Sequence, residues 1–307
     1  MFFSAATVVL AAAGLASAAP AVQKRAPEIN DGVILNYALT LEHLEDTFYR
    51  EGLSKFNEKD FADAGYDSTF YNNIKKVSSD ETTHVDFITK ALKAAGVTPV
   101  AACTYNFGVT DVKTFLATAS ILEGVGVSAY LGAAADIMSK TYLTAAGSIL
   151  TVEARHSSYI RANLKQVPFP QAFDAPLTIN EVYSLASSFI TSCPKENPAL
   201  PVKAFPKLAL DPSTKMPVKT GDTVTLQTPG YTLKGADGQK VYAAFIAVTG
   251  PTFVEAQAID GGFSVEIPEG FAGQTYVVLT GCKDAVSDDT VAAGPAIIEV
   301  MCFSRNV

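Results

Sequence analysis

Glu81-Thr82-Thr83-His84 and Glu153-Ala154-Arg155-His156 decide how this chain is read. Only three histidines occur in 307 residues, and two of them follow a glutamate by three positions. On an α-helix, positions i and i+3 share a face, so each string aims a carboxylate and an imidazole at one point. Two such helices facing each other could hold a pair of metal ions inside a bundle. A lone Glu-x-x-His is commonplace on a solvated helix face. The repetition, which uses two of only three histidines, gives the pattern its weight.

Working outward, helical periodicity is predicted around both strings. A first helix runs over about 31–53, with Ile34, Leu35, Ala38, Leu41 and Leu44 as its apolar stripe. A polar stretch with a turn at Gly65 leads to a second helix over 68–95, closed by Gly96. A third starts at the cap signal Thr110-Asp111 and continues to about 139; a fourth covers 142–164, and a shorter one 179–192. The connection from Gly96 to Val109 reaches ~46 Å when extended, against ~42 Å for the second helix. That fits two antiparallel helical hairpins joined by one long crossover.

Dinuclear carboxylate centres in bundles take one glutamate from each of two helices and a Glu-x-x-His from each of the other two. Helices two and four offer Glu81/His84 and Glu153/His156. Helix three has one central acid, Glu123, in an apolar run where an unpaired carboxylate would be costly. Helix one offers Glu42 and Glu45. Spacing chooses Glu42: Tyr49 follows it by seven residues, as Tyr130 follows Glu123, whereas Gly52 follows Glu45. Seven residues are about two turns, so each tyrosine lies on its glutamate's face. The hairpins then read as a degenerate repeat around a two-fold symmetric site. Glu45 is left as a supporting or surface residue, and His43 as a surface or packing residue. Tyr49 and Tyr130 are the candidates for a catalytic role, by hydrogen-bonding ligands or relaying electrons; packing is the competing reading. Four carboxylates and two imidazoles suit two iron ions or, alternatively, two manganese ions.

LNYALTLEHLEDTFY (35–49), LEGVGVSAYLGAA (122–134) and ILTVEARHSSYI (149–160) carry a resemblance. Residues 31–165 resemble the ferritin-like superfamily, and the three strings resemble secreted fungal ferritin-like proteins related to stress-response and desiccation-related proteins. The resemblance implies a ferritin-like four-helix bundle with Glu42, Glu81, His84, Glu123, Glu153 and His156 at the di-metal ligand positions. It also implies oxidation of ferrous iron or a ferroxidase-like or catalase-like reaction with oxygen or peroxide.

The flanks depart from a ferritin storage shell. Residues 1–18 are apolar and end in Ala16-Ser17-Ala18, which reads as a signal peptide. Residues 19–25 form a short pro-segment ending in the dibasic pair Lys24-Arg25. Its removal moves the formal charge from −8 to −10, which disfavours a nucleic-acid partner. No later apolar run is long and unbroken enough to predict a membrane span. Four cysteines in an exported chain favour disulfides, with Cys103–Cys193 and Cys282–Cys302 preferred because each pair stays inside one predicted domain. The bundle is placed at 26–193, a surface linker at 194–222, and a small β-sandwich-like domain at 223–307, where β-branched and aromatic runs alternate with turn signals. Two functions follow. The first is a secreted di-metal protein with oxidase-like or peroxide-consuming activity. The second is an extracellular structural or stress protein with a vestigial metal site, whose β-domain binds a cell-wall or other partner.

Overall fold

Asn, Asp and Ser side chains begin the long helices, where they satisfy N–H groups that have no carbonyl partner within the helix. In the computed structural model, which describes residues 6–9, 29–235 and 238–301, Asn30 caps α1 (Asp31–Lys55) and Asp67 caps α3 (Ser68–Ala94). Asp111 caps α4 (Val112–Ala133) and Ser139 caps α5 (Lys140–Asn163). A short helix α2 (Glu58–Asp63) occupies the stretch expected as a loop. There the Asn57 side chain accepts from the Asp60 N–H while the Asp60 carboxylate accepts from the Asn57 N–H.

The third helix stops six residues before the expected position. The Asp31 carboxylate accepts the N–H groups of Met138 and Ser139, at 2.7 and 3.0 Å, and draws the chain into a 3-10 turn at Ala134–Asp136. Among the described residues, the stretch Val112–Asp136 is long and apolar enough to cross a membrane by length and composition, and most of it is buried inside the bundle.

The crossover between α3 and α4 runs the length of α1. Near its start, the Asn36 amide donates to the Thr98 carbonyl and accepts from the Val100 N–H. His43 Nε2 meets the Val100 carbonyl at 3.1 Å, which makes His43 a packing residue; burial lowers its pKa. At the far end the Lys55 ammonium donates to the Val109 carbonyl. From Asn36 to Lys55 the helix rises ~28 Å, so the connection spans the bundle as two hairpins require.

One compact unit holds residues 27–168 and 186–202; the other holds 1–26, 169–185 and 203–307. This interleaving differs from uninterrupted domains divided near 193 and 222. The segment 186–202 stays with the bundle through a disulfide, Cys103–Cys193, and through β3 (Ile190–Ser192) pairing with β2 (Thr104–Tyr105). Asn197 also exchanges two hydrogen bonds of 2.8 Å with the Ala101 backbone. The segment 169–185 goes with the sheet. It carries most of α6 (Ile179–Ala186), and Thr178 and Asn180 both donate to the Asp288 carboxylate.

The sheet unit is antiparallel, with strand order β11-β10-β7-β8-β9-β5-β4. These strands are β4 (Ala209–Leu210), β5 (Thr223–Gln227), β7 (Val241–Phe245), β8 (Thr252–Ile259), β9 (Gly262–Glu266), β10 (Gly273–Thr280) and β11 (Val291–Val300). β8 changes partner midway, pairing with β7 up to Ala256 and with β9 from Gln257. Such a strand joins two layers, and the end strands β11 and β4 adjoin, so the sheet curls nearly into a barrel. Its core is Val, Leu, Ile and Phe, with Phe245, Phe263, Val277 and Leu279 among the fully buried. A further strand, β6 (Tyr231–Lys234), pairs in parallel with the backbone of β1 (Ala6–Val9). The rest of the expected signal and pro-segment, and the pairing of Cys282 with Cys302, lie outside the described residues.

Gly52 shows how tightly the bundle is packed. A Cβ there would stand 2.1 Å from the Phe115 ring, which is fully buried and stacked on Phe48 at 4.8 Å. Gly52→Ala would gain about 1 kcal/mol of helix propensity but lose about 1–3 kcal/mol to overpacking. The ring is hemmed in by Phe48, Tyr49, Phe56 and Phe61, so overpacking wins, and thermal melting should show a Tm lower by several degrees. An unchanged Tm would refute the packing argument.

Candidate metal centre

Each helix of the two hairpins brings a carboxylate to the middle of the bundle. α1 supplies Glu42, α3 Glu81 and His84, α4 Glu123, and α5 Glu153 and His156. All six are buried, and the four glutamates are 0% exposed. His84 Nδ1 stands 3.3 Å from Glu42, 3.2 Å from Glu81 and 3.1 Å from Glu153. His156 Nδ1 stands 3.0 Å from Glu81 and 3.4 Å from Glu123.

These atoms form two overlapping groups that could each hold a metal ion: Glu42, Glu81, His84, Glu153 and Glu81, Glu123, Glu153, His156. Within a group the ligand atoms lie within 4.8 Å of one another. Glu81 and Glu153 belong to both. A two-fold arrangement therefore appears in space as it does in sequence, with Glu42/His84 at one end and Glu123/His156 at the other.

The tyrosines do something the spacing did not show. Each sits two turns from its own glutamate but reaches the glutamate of the other hairpin. The Tyr49 hydroxyl donates to Glu123 Oε1, and the Tyr130 hydroxyl donates to Glu42 Oε1. Burial raises both phenols well above their ordinary value, and the facing carboxylates add to it. Each therefore stays a donor and fixes one oxygen of a terminal glutamate.

What remains is unsatisfied. Glu42 Oε2, Glu81 Oε1, Glu123 Oε2, both oxygens of Glu153, and His156 Nδ1 are buried without a well-oriented hydrogen bond, their near neighbours being one another and the His84 ring. Buried polar atoms are nearly always bonded, so this convergence of lone pairs is a donor set suited to cations. The titration of these groups reports the same pressure. Burial, then repulsion from Glu153, lifts Glu81 to about 7 against its contacts with His156 and His84. Burial, then Glu123 and Glu42, lifts Glu153 to about 8 against His84. Burial alone would lower the imidazoles, but the surrounding carboxylates raise His84 to about 12 and His156 to about 11.

Two further residues belong beside the site. Glu45, left open as a supporting or a surface residue, is buried next to the cluster, and burial followed by repulsion from Glu153 raises its pKa well above the ordinary value. Its room comes from Gly126, where a Cβ would stand 3.0 Å from Glu45 Oε1 and 3.5 Å from Glu153 Oε2. The signal was present: Glu45 and Gly126 each follow a terminal glutamate by three residues, so the repeat breaks there. Asp80 is the second. Its carboxylate lies 3.4 Å from His156 Nε2 and pairs with Lys76 on the outside. With Nε2 turned outward to Asp80, Nδ1 faces the cluster, the usual way an imidazole is aimed at a metal. The corresponding position before Glu153 is Val152, so His84 has no matching carboxylate from α5.

Residues 30–166 match the ferritin-like domain family. Protein rds1 of Schizosaccharomyces pombe is 29% identical over 176 residues, which is 57% of this chain and 43% of that protein. The chain thus spans less than half the length of this curated relative. The crystal structure of a conserved hypothetical protein from Mycobacterium tuberculosis is similar over 47% of this chain and 96% of its own, at 20% identity and a TM-score of 0.39.

Proposed function

We propose, on the premise that residues 30–166 are a ferritin-like domain, that the protein binds two ions of iron or manganese and consumes oxygen or peroxide. The observation that carries this is the set of buried carboxylate oxygens, without well-oriented hydrogen bonds, around two imidazoles. Four carboxylates offset the charge of two divalent ions, and carboxylate with imidazole suits iron and manganese. Such ions, when bound, supply Lewis acidity and one-electron redox change.

The chain's own residues supply the rest. Glu81 and Glu153, common to both groups, would serve both ions, while Glu42/His84 and Glu123/His156 would each serve one. Tyr49 and Tyr130 orient the terminal glutamates, and Asp80 orients His156. We place the protein outside the cell, in a stress-related role. The apolar leader, the dibasic pair and the Cys103–Cys193 disulfide support export, and the resemblance to secreted stress proteins supports the role.

Elemental mass spectrometry on protein exported from a fungal host should find about two ions per chain. A protein that stays metal-free and rejects added iron and manganese would overturn the reading. Binding should also release protons, because both imidazoles are protonated in the metal-free protein at neutral pH and must shed a proton to become ligands. Affinity should rise with pH between 5 and 8, where Glu81 and Glu153 titrate at about 7 and 8. The metal-free fold runs the other way. All four groups have folded pKa values above their unfolded ones, so their contribution is full at low pH and declines as pH rises. Metal-free protein should therefore melt lower at pH 8 than at pH 5, with added metal closing the gap. Calorimetric titration in two buffers of different ionisation heat counts the protons, and binding that releases none would contradict the assigned ligands.

A further inference from the structure

β7 ends, β10 begins and β11 ends at the same end of the sheet. Gly273 of β10 pairs with Val300 of β11, and the Ile246 N–H, just past β7, donates to the Tyr276 carbonyl. At that end an open cleft of about 370 Å³ is lined by residues of 170–175, by Thr220, by 246–249 and by 270–272. The Gln171 amide donates to the Ala272 carbonyl at 2.6 Å and holds the first of these segments to the sheet. Among the described residues of the lining none is charged. Two large apolar side chains there stand open to solvent: Phe173 is 66% exposed and Val248 50%.

β11 runs toward this cleft. Past its ladder with β10, the Val218 N–H donates to the Glu299 carbonyl and the Met301 N–H donates to the Val218 carbonyl. The chain therefore leaves Met301 flanked by Val218, two residues before Thr220, and by Gly273, one residue after Ala272. Thr220 and Ala272 both line the cleft. Cys302-Phe303-Ser304-Arg305-Asn306-Val307 follows, and six extended residues reach ~20 Å.

The lining sets what can enter. A charge would lose its hydration and find no partner, whereas an apolar ring would leave water and cover Phe173 and Val248. The first three tail residues are uncharged and include one large ring, Phe303; the first charge is Arg305. Just beyond the lining stand Asp174, next to Phe173, and Glu269, next to Gly270. Tail and cleft thus match twice, apolar to apolar and cation to anion.

We propose that residues 302–307 occupy this cleft in their own chain, with Phe303 seated against Phe173 and Val248 and Arg305 at the acidic rim. The cleft is then a peptide site that the chain fills itself, and the tail pins 170–175 to the sheet.

Trypsin reads the docking locally, because Arg305–Asn306 is a cleavable bond. On the folded full chain, loss of Asn306-Val307 is followed by intact-mass spectrometry. It should be slow in the wild type and about tenfold faster in Phe303→Ala and in Val248→Asp, since cleavage tracks the undocked fraction. One variant removes the ring and the other charges the cleft at a half-exposed position, and circular dichroism confirms that each folds. Equal rates in all three proteins overturn the proposal. Protection that fades on dilution also overturns it, because the tail would then come from a second copy. A Cys282–Cys302 disulfide would do the same. β10 rises ~23 Å from Gly273 to Thr280, Cys282 lies beyond Thr280, and a disulfide needs Cα atoms within ~7 Å. That bond would draw the tail to the opposite end of the sheet, so peptide mapping without reduction should find these two cysteines unlinked.

Discussion

Exchanging Glu81 and Glu153 together for glutamine is expected to take the metal content from about two ions per chain to none. Both side chains belong to both ligand groups, so the double exchange removes two of the four protein donors from each. Glutamine keeps the shape and removes the charge, and two ions left with Glu42/His84 and Glu123/His156 would lack the shared carboxylates and half of the neutralising charge. The bundle should still form, because the carboxylates lost are ones whose buried charge is unfavourable without metal. Glu42→Gln makes the contrast, touching only the group that contains His84, and should weaken one ion while leaving the other. Two ions retained in a folded Glu81→Gln/Glu153→Gln protein would rule out the assigned centre.

Cys103→Ser with Cys193→Ser carries the largest expected cost in stability. The bond joins residues 90 apart in sequence, and closing a loop of that length restricts the unfolded chain by about 4–5 kcal/mol. For a unit of this size that corresponds to a Tm lower by roughly 10 °C or more. The paired Asn197–Ala101 hydrogen bonds and the short β2–β3 ladder would remain to hold 186–202, too little to replace it. Thermal melting of the double variant beside the wild type, both in non-reducing buffer, decides it. Equal melting would mean that those hydrogen bonds suffice.

The candidate centre was legible because its signals are local. Glu-x-x-His fixes a helix face by itself, and the seven-residue step to a tyrosine separated Glu42 from Glu45 without any knowledge of packing. The caps at Asp111 and the crossover length were likewise readable from neighbouring residues. What stayed hidden depends on partners far away in sequence. Tyr49 bonds Glu123 and Tyr130 bonds Glu42, 74 and 88 residues off, so the same spacing that found them gave no hint of the exchange. The choice between a supporting and a surface role for Glu45 stayed open because its burial depends on a missing side chain at Gly126, on another helix. The segment 169–185 went to the sheet unit through Asp288, more than 100 residues later, which no periodicity announces.

The interleaving of the two units has a consequence for biosynthesis. Residues 27–168 leave the ribosome before 169–202 and include all six residues of the candidate cluster, yet Cys103 has no partner until Cys193 has emerged. Before that happens, 169–185 has already been made and must wait for strands that end near residue 300. The nascent chain therefore carries the whole candidate cluster on a bundle that is still unlatched. A single proteolytic nick in any one connection would leave each unit still linked to the other through the remaining ones.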